Sequence, residues 1–211
     1  MVASRTDVAR LARAILATMS SADLISLGIA YQTIFARIVR GVELTENHGL
    51  NIGWISLDSP NRWMHVIFPP IDGENLLLGE RELGFNIPSP FREFLHVSNG
   101  LRLFKAELGI PHLLIMGLAA SPRSSDRNET FPVDFLGDNT VARPSGLEQG
   151  ELVFGSYGDD GSLLSILEDG TVRKRGPEGG ATLFVWQTFS NFLNEEVARL
   201  DNRFDRNGLL A

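Results

Sequence analysis

The sequence predicts an α+β fold, a mostly antiparallel β-sheet with helices packed around it. Three observations carry this. Apolar residues recur at helical spacing towards both ends, from Leu24 to Ile38 and from Phe189 to Leu200. Short runs rich in branched and aromatic residues occupy much of the chain between them. Tight Asp, Asn, Gly and Pro turns separate several of these runs, as hairpins require.

Taken in order, residues 5–19 read as a first helix, with Val8, Leu11, Ala12, Ile15, Leu16 and Met19 on one face. Ser20 and Asp23 form a capping pattern for a second helix. Its stripe is Leu24, Leu27, Tyr31, Ile34, Phe35 and Ile38, and Gly41 is its stop. Residues 42–49 read as a polar loop. Leu50–Leu57 and Arg62–Phe68 read as strands around the turn Asp58-Ser59-Pro60-Asn61. Glu74–Leu83 reads as a helix capped by Asp72. Pro88 then biases Ile87 away from helical angles. Ser89 is expected to cap a short helix that has Pro90 at its first position and Phe91, Phe94 and Leu95 on one face. Asn99-Gly100 is its expected stop, with positive φ at Gly100. Leu101, Leu103 and Phe104 begin a strand, and Leu113–Leu118 is another.

Residues 119–150 read as a long surface loop with one short element near Phe131–Leu136. Leu152–Tyr157, Ser162–Leu167 and Thr171–Arg175 are strands joined by Gly158-Asp159-Asp160-Gly161 and Glu168-Asp169-Gly170. Leu183, Val185 and Trp186 lead into a final helix capped by Thr188. Two parts are expected. Residues 1–71 form an N-terminal extension of two helices and a hairpin, packed on a main domain over 72–211.

Composition narrows the function. The 211 residues carry 19 Lys and Arg against 26 Asp and Glu, a net charge of −7. That argues against direct nucleic-acid binding, which needs a basic face to displace counterions, and suits steering towards a basic partner. No cysteine is present, so disulfides, thiolate metal sites and a cysteine nucleophile are excluded. No run approaches the ~18 apolar residues of a membrane span, and the N-terminus lacks a signal-peptide h-region. A cytoplasmic protein without membrane attachment is expected.

No motif for catalysis, cofactor or metal emerges. His48, His65, His96 and His112 show no metal-site spacing. Gly158–Gly161 lacks the alternating oxygen ligands of a calcium loop and reads as a turn. Glu80 and Glu82 read as a solvated helix face, with a place on a binding surface as the alternative. Arg173-Lys174-Arg175 reads as a charged, edge-protecting strand. Trp54, Trp63 and Trp186 are candidate interface anchors, with burial against the sheet as the default. No catalytic, cofactor or metal residue is therefore named. Asp58, Asp159 and Asp160, all at turns, are the candidate partner contacts.

One ordered set of residues carries more. Glu82-Leu83-Gly84, Ile87-Pro88, Phe91, Phe94-Leu95 and Asn99-Gly100 come first. Phe154-Gly155, the hairpins through Arg175 and Thr188-Phe189-Ser190-Asn191-Phe192-Leu193 follow. This order resembles the SUKH superfamily, the Smi/Knr-type domains, over roughly 130 residues. The resemblance implies an α+β fold and a non-catalytic, protein-binding role. Bacterial domains of this kind resemble immunity proteins that neutralise polymorphic toxins, often nucleases; similar fungal domains act in cell-wall regulation. The expectation is an immunity protein against a basic toxin domain. A regulatory or scaffold protein of the cell-wall-signalling type is the alternative, and an unrecognised hydrolase a third reading.

Overall fold

A computed structural model describes residues 22–45, 48–55, 63–105, 110–118 and 132–205. The first expected helix, the Ser20 cap, Asp58 with its turn and residues 119–131 lie outside the described residues. Sixteen elements follow in chain order. Helix α1 (Ala22–Ala36) runs into a 3-10 turn (Arg37–Arg40), then β1 (Val42–Leu44), β2 (Leu50–Trp54) and β3 (Trp63–Ile67). Helices α2 (Gly73–Leu83) and α3 (Ser89–Leu95) precede β4 (Leu101–Lys105), β5 (Pro111–Ile115) and the single turn α4 (Leu136–Asn139). The chain ends with β6 (Leu152–Tyr157), β7 (Leu163–Ile166), β8 (Val172–Arg175), a 3-10 turn (Pro177–Gly179), β9 (Thr182–Trp186) and α5 (Phe189–Asp201).

The nine strands form one sheet in sequential order, and every neighbouring pair is antiparallel. The fold is α+β, as the strand and helix patterns predict. Strand β3 hydrogen-bonds directly to β4, with Val66 opposite Arg102, so the N-terminal strands continue the sheet of the later residues. Strand β1 lies where the sequence suggests only loop. Its three residues are too few to show a period, yet Val42 pairs with Ile52 and Leu44 with Leu50. The return is closed by Thr45 and Gly49, whose N–H groups donate to Gly49 O and Thr45 Oγ1 at 2.9 Å each. Residues 182–186, read only as the approach to the last helix, form strand β9.

Helix ends follow their capping chemistry with one exception. The Asn75 N–H donates to Asp72 Oδ1 at 2.8 Å, and α2 stops at Gly84 with φ +76°. Thr188 Oγ1 likewise accepts from the Asn191 N–H at the start of α5. Helix α3 starts at Ser89, one residue earlier than the expected first position, Pro90. Pro88 occupies the cap position, and its carbonyl accepts from the N–H groups of Phe91 and Arg92. Nor do Asn99 and Gly100 end α3, which finishes at Leu95. Gly100 does have positive φ (+101°), but the reason is a close approach: a Cβ there would sit 2.8 Å from the Ile115 carbonyl of β5. Asn99 grips the backbone of Leu118 from both sides, Nδ2 donating to its carbonyl at 2.7 Å and Oδ1 accepting from its N–H at 2.8 Å. Asn139 of α4 repeats this on Val153, at 2.7 and 2.8 Å.

Phe91 stands at the centre of the core. Its ring lies 5.7 Å from Phe94, 5.8 Å from Phe135, 5.1 Å from Phe154 and 5.6 Å from Phe189. One side chain thereby joins α3, the approach to α4, β6 and α5. The break before α3 is held by Glu80. Its carboxylate accepts the Ile87 N–H at 2.9 Å and pairs with Arg92, so Glu80 is a buried clamp rather than a solvated residue. Glu82 is exposed. Helices α1 and α5 pack together: Asn194 Oδ1 accepts the Ala30 N–H at 2.9 Å, and Arg37 forks onto Asp201 at 2.6 and 2.9 Å. No helix among the described residues is long and apolar enough to cross a membrane.

His65 is fully buried on β3, edge-on to Phe104, and its Nδ1 accepts the Phe104 N–H at 3.4 Å. Burial, reinforced by the charge of Arg37, lowers its pKa to about 3.

Truncating Phe91 to alanine is expected to cost about 3–5 kcal/mol in denaturant unfolding, because the cavity opens among four other rings. His65 adds a pH dependence. The unfolded side chain takes a proton near pH 6.5, whereas the folded one stays neutral to about pH 3. Its contribution is complete above pH 6.5 and falls as pH drops towards 3, with a limiting slope of about 1.4 kcal/mol per pH unit. His112, also lowered, acts in the same sense. Between pH 6.5 and 5, where carboxylates contribute little, His65→Phe should flatten the stability profile markedly.

A groove between the last strand and the last helix

Helix α5 has three faces. Phe192, Leu193, Val197 and Leu200 point into the core, Asn194 and Asp201 point to α1, and Glu195, Glu196 and Arg199 flank an open groove. The groove holds about 530 Å³. Its sheet side is built by Tyr157 at the end of β6, Lys174 on β8 and Leu183, Phe184 and Trp186 on β9. Lys174 and Phe184 are cross-strand partners, as are Val172 and Trp186, so these four share the face towards α5.

Aromatic rings form the floor and charge forms the rim. Phe184 and Trp186 lie 4.7 Å apart, and Trp186 packs edge-on to Phe192 at 5.1 Å. Trp186 Nε1 donates to Glu195 Oε2 at 3.0 Å, which fixes the indole. The Lys174 ammonium sits 4.3 Å over the Tyr157 ring and also reaches Asp160 Oδ2 at 2.7 Å. Arg199 forks onto Glu196 at 2.7 and 3.0 Å, and this bonding raises the guanidinium pKa. Burial raises the Tyr157 pKa, and the neighbouring charge of Glu196 raises it further.

Asp160 and Asp159, two of the three candidate contacts, do not line the groove; Asp160 is joined to it through Lys174. Burial disfavours the Asp160 charge, but hydrogen bonds from Lys174 and from the Ser162 hydroxyl and N–H outweigh it and bring its pKa to about 2. Asp159 Oδ2 lies 3.2 Å from Arg203 Nη1 and 3.8 Å from His112 Nδ1. The His112 pKa is lowered, first by burial and then by Arg203, against the opposing pull of Asp159. Of the tryptophans, Trp63 and Trp186 are buried, and Trp54 packs edge-on to Trp63 at 5.0 Å.

The basic run on β8 is not an edge. Strand β8 lies between β7 and β9, and each of its three cations has an acidic partner. Lys174 faces the groove and meets Asp160. Arg173 and Arg175 point to the opposite face, as alternation requires. There Arg173 meets Glu148 at 2.5 Å, and Arg175 forks onto the wholly buried Glu151 with two bonds of 2.7 Å. Ser165 Oγ and the Glu148 N–H complete the Glu151 shell at 2.5 and 2.9 Å. Desolvation works against the Glu151 carboxylate, but Arg175, Ser165 and the Glu148 N–H more than offset it and hold its pKa low.

Sequence reasoning did not find the groove itself. Glu195–Arg199 and Glu196–Arg199 have the spacing of helical ion pairs, and that signal was available. Nothing local, however, tells that Trp186 and Tyr157 would face them across two strands. Among the described residues no cluster of three or more His, Asp or Glu is placed to hold a metal ion. His65, buried beside Phe104, has no open access from a cleft.

Removing Arg175 strands a buried carboxylate. Arg175→Met is expected to cost about 3–5 kcal/mol in urea unfolding. The double variant Glu151→Leu/Arg175→Met should recover most of that loss.

A protein-family model described as the SMI1 / KNR4 family (SUKH-1) matches residues 70–195. No curated protein matches the chain. The matched span holds the Glu80 clamp, the Phe91 cluster and both sides of the groove as far as Glu195, and it covers more than half of the sequence. The chain therefore belongs to the SMI1 / KNR4 family (SUKH-1).

Proposed function

We propose that this protein is a non-catalytic binding module that neutralises a protein toxin, with the groove between β9 and α5 and the adjacent Asp159–Asp160 turn as its contact surface. The carrying observation is the groove: Phe184, half exposed, lies beside the buried Trp186 and Tyr157, with charged side chains already fixed around them by Glu195, Asp160 and Glu196. Pre-fixed aromatic anchors lose little entropy on binding, which is what a stoichiometric inhibitor needs. Family membership supports a protein-binding role. The net charge of −7 supports fast encounter with a basic toxin, such as a nuclease, in the cytoplasm of the cell that makes it. The main binding unit is residues 72–211, and residues 1–71 extend it.

The test is co-expression with any toxin domain found encoded beside this gene. The protein should protect cells and co-purify with the toxin in a fixed ratio. Phe184→Ala, at the half-exposed ring of the groove, should weaken the complex by about 2 kcal/mol or more in calorimetry. Asp159→Lys should mainly slow association and reduce its salt dependence. A protein that neither protects nor binds would sink this reading.

A further inference from the structure

Among the described residues, strand β9 ends the sheet and pairs with β8 alone. The opposite edge is managed in the usual way: β1 is only three residues long and has Glu43 at its centre. Strand β9 is five residues long, Thr-Leu-Phe-Val-Trp, and carries no charge. Leu183, Phe184 and Val185 are 58%, 51% and 43% exposed. A bulge opposite Arg175 leaves Phe184–Trp186 in regular register, with their outer edge unpaired. The charges that would guard such an edge sit one strand inward, on β8, and each is neutralised there.

We propose that β9 pairs antiparallel with β9 of a second copy of this chain, making a two-fold dimer with one continuous sheet. The charge pattern favours a second copy over a strongly basic or acidic strand. Beside β9, Lys174 is matched by Asp160 and Arg199 by Glu196, Glu195 keeps its charge while accepting from the Trp186 N–H, and the strand itself carries none, so no cluster of like charge calls for an oppositely charged strand. What remains open is backbone and apolar surface, and an identical strand supplies both. Antiparallel pairing of one strand with itself is isologous and closed, so it stops at two copies. The two-fold axis stands perpendicular to the sheet, which puts both α5 helices on the same face. Among the described residues, the groove has α5 as one wall and nothing beyond β9. The second copy supplies the missing wall, and two half-grooves become one cleft floored by both pairs of Phe184 and Trp186.

The test needs only the purified full chain. Sedimentation or light scattering over a dilution series should show a dimer that dissociates on dilution. Val185→Lys and Phe184→Lys should halve the mass while melting near the parent temperature, since both side chains are exposed. The chain has no cysteine. Val185→Cys should therefore cross-link between copies with a short bis-maleimide, and Val141→Cys, 95% exposed elsewhere, should not. A parent chain that is monomeric throughout, a dimer untouched by Val185→Lys, or cross-linking at Val141 instead of Val185 overturns the proposal. A monomer that still neutralises its toxin sinks the self-association alone. A dimer that binds no toxin leaves self-association standing and sinks the toxin reading.

Discussion

The packing of Phe91 is the constraint on which the rest of the structure depends. Its ring meets four others drawn from α3, β6, α5 and the approach to α4, mostly in tilted geometries that avoid stacking like quadrupoles face to face. For one residue to reach all four, α3 must leave α2 at a set angle. Glu80 sets it, bonded to the Ile87 N–H just before Pro88 and to Arg92 one turn into α3. A carboxylate with two partners is tolerable at that depth, where an unpaired one would not be. The aromatic cluster then fixes α5 against the sheet, and α5 fixes the groove.

Three further buried polar sites hold the long connections to this frame. Asn99 and Asn139 each give a donor and an acceptor to one residue's backbone, replacing the hydrogen bonds a neighbouring strand would have made. Both sit where the chain leaves regular structure, so backbone groups there would otherwise be stranded. Glu151 does the same with charge, drawing β7 and β8 towards the residue 148 region through Ser165, Arg175 and its own local turn. Polar groups buried in this way add modest net stability but strongly disfavour any register that leaves them unpaired.

The groove follows from helical geometry meeting a sheet edge. A helix of 3.6 residues per turn presents three usable faces, and α5 uses all of them. Its core face is taken by the aromatic cluster and its second face by α1. The third lies over the outermost strands, where Glu195 meets Trp186 and the groove stays open beside it. Apolar floor and pre-paired rim charges are what a partner surface needs, and the same strand that floors the groove leaves its backbone edge open. The proposed binding surface and the proposed self-association edge thus meet at one place because, among the described residues, the sheet ends there.

Much of this was written locally. Capping by Asp72 and Thr188, the hairpins after Leu152 and the apolar face of α5 each depend on a few adjacent residues, so sequence reasoning could find them. The SUKH-type order of Leu83–Gly100 marked the family for the same reason. Strand β1 was missed because three residues carry no period. Glu80 looked solvated because its partners lie seven and twelve positions away. The β8 cations looked like edge protection because only strand order tells that β8 is interior. Asn99 looked like a helix stop because its true partner, Leu118, is reached across the sheet. The sequence by itself determined most of the elements, the Asp72 and Thr188 caps and the family, since those rest on short-range sterics and hydrogen bonding. Tertiary structure alone decided which charges are buried, which strand is the edge and which helix face remains open, since those depend on residues brought together only by folding.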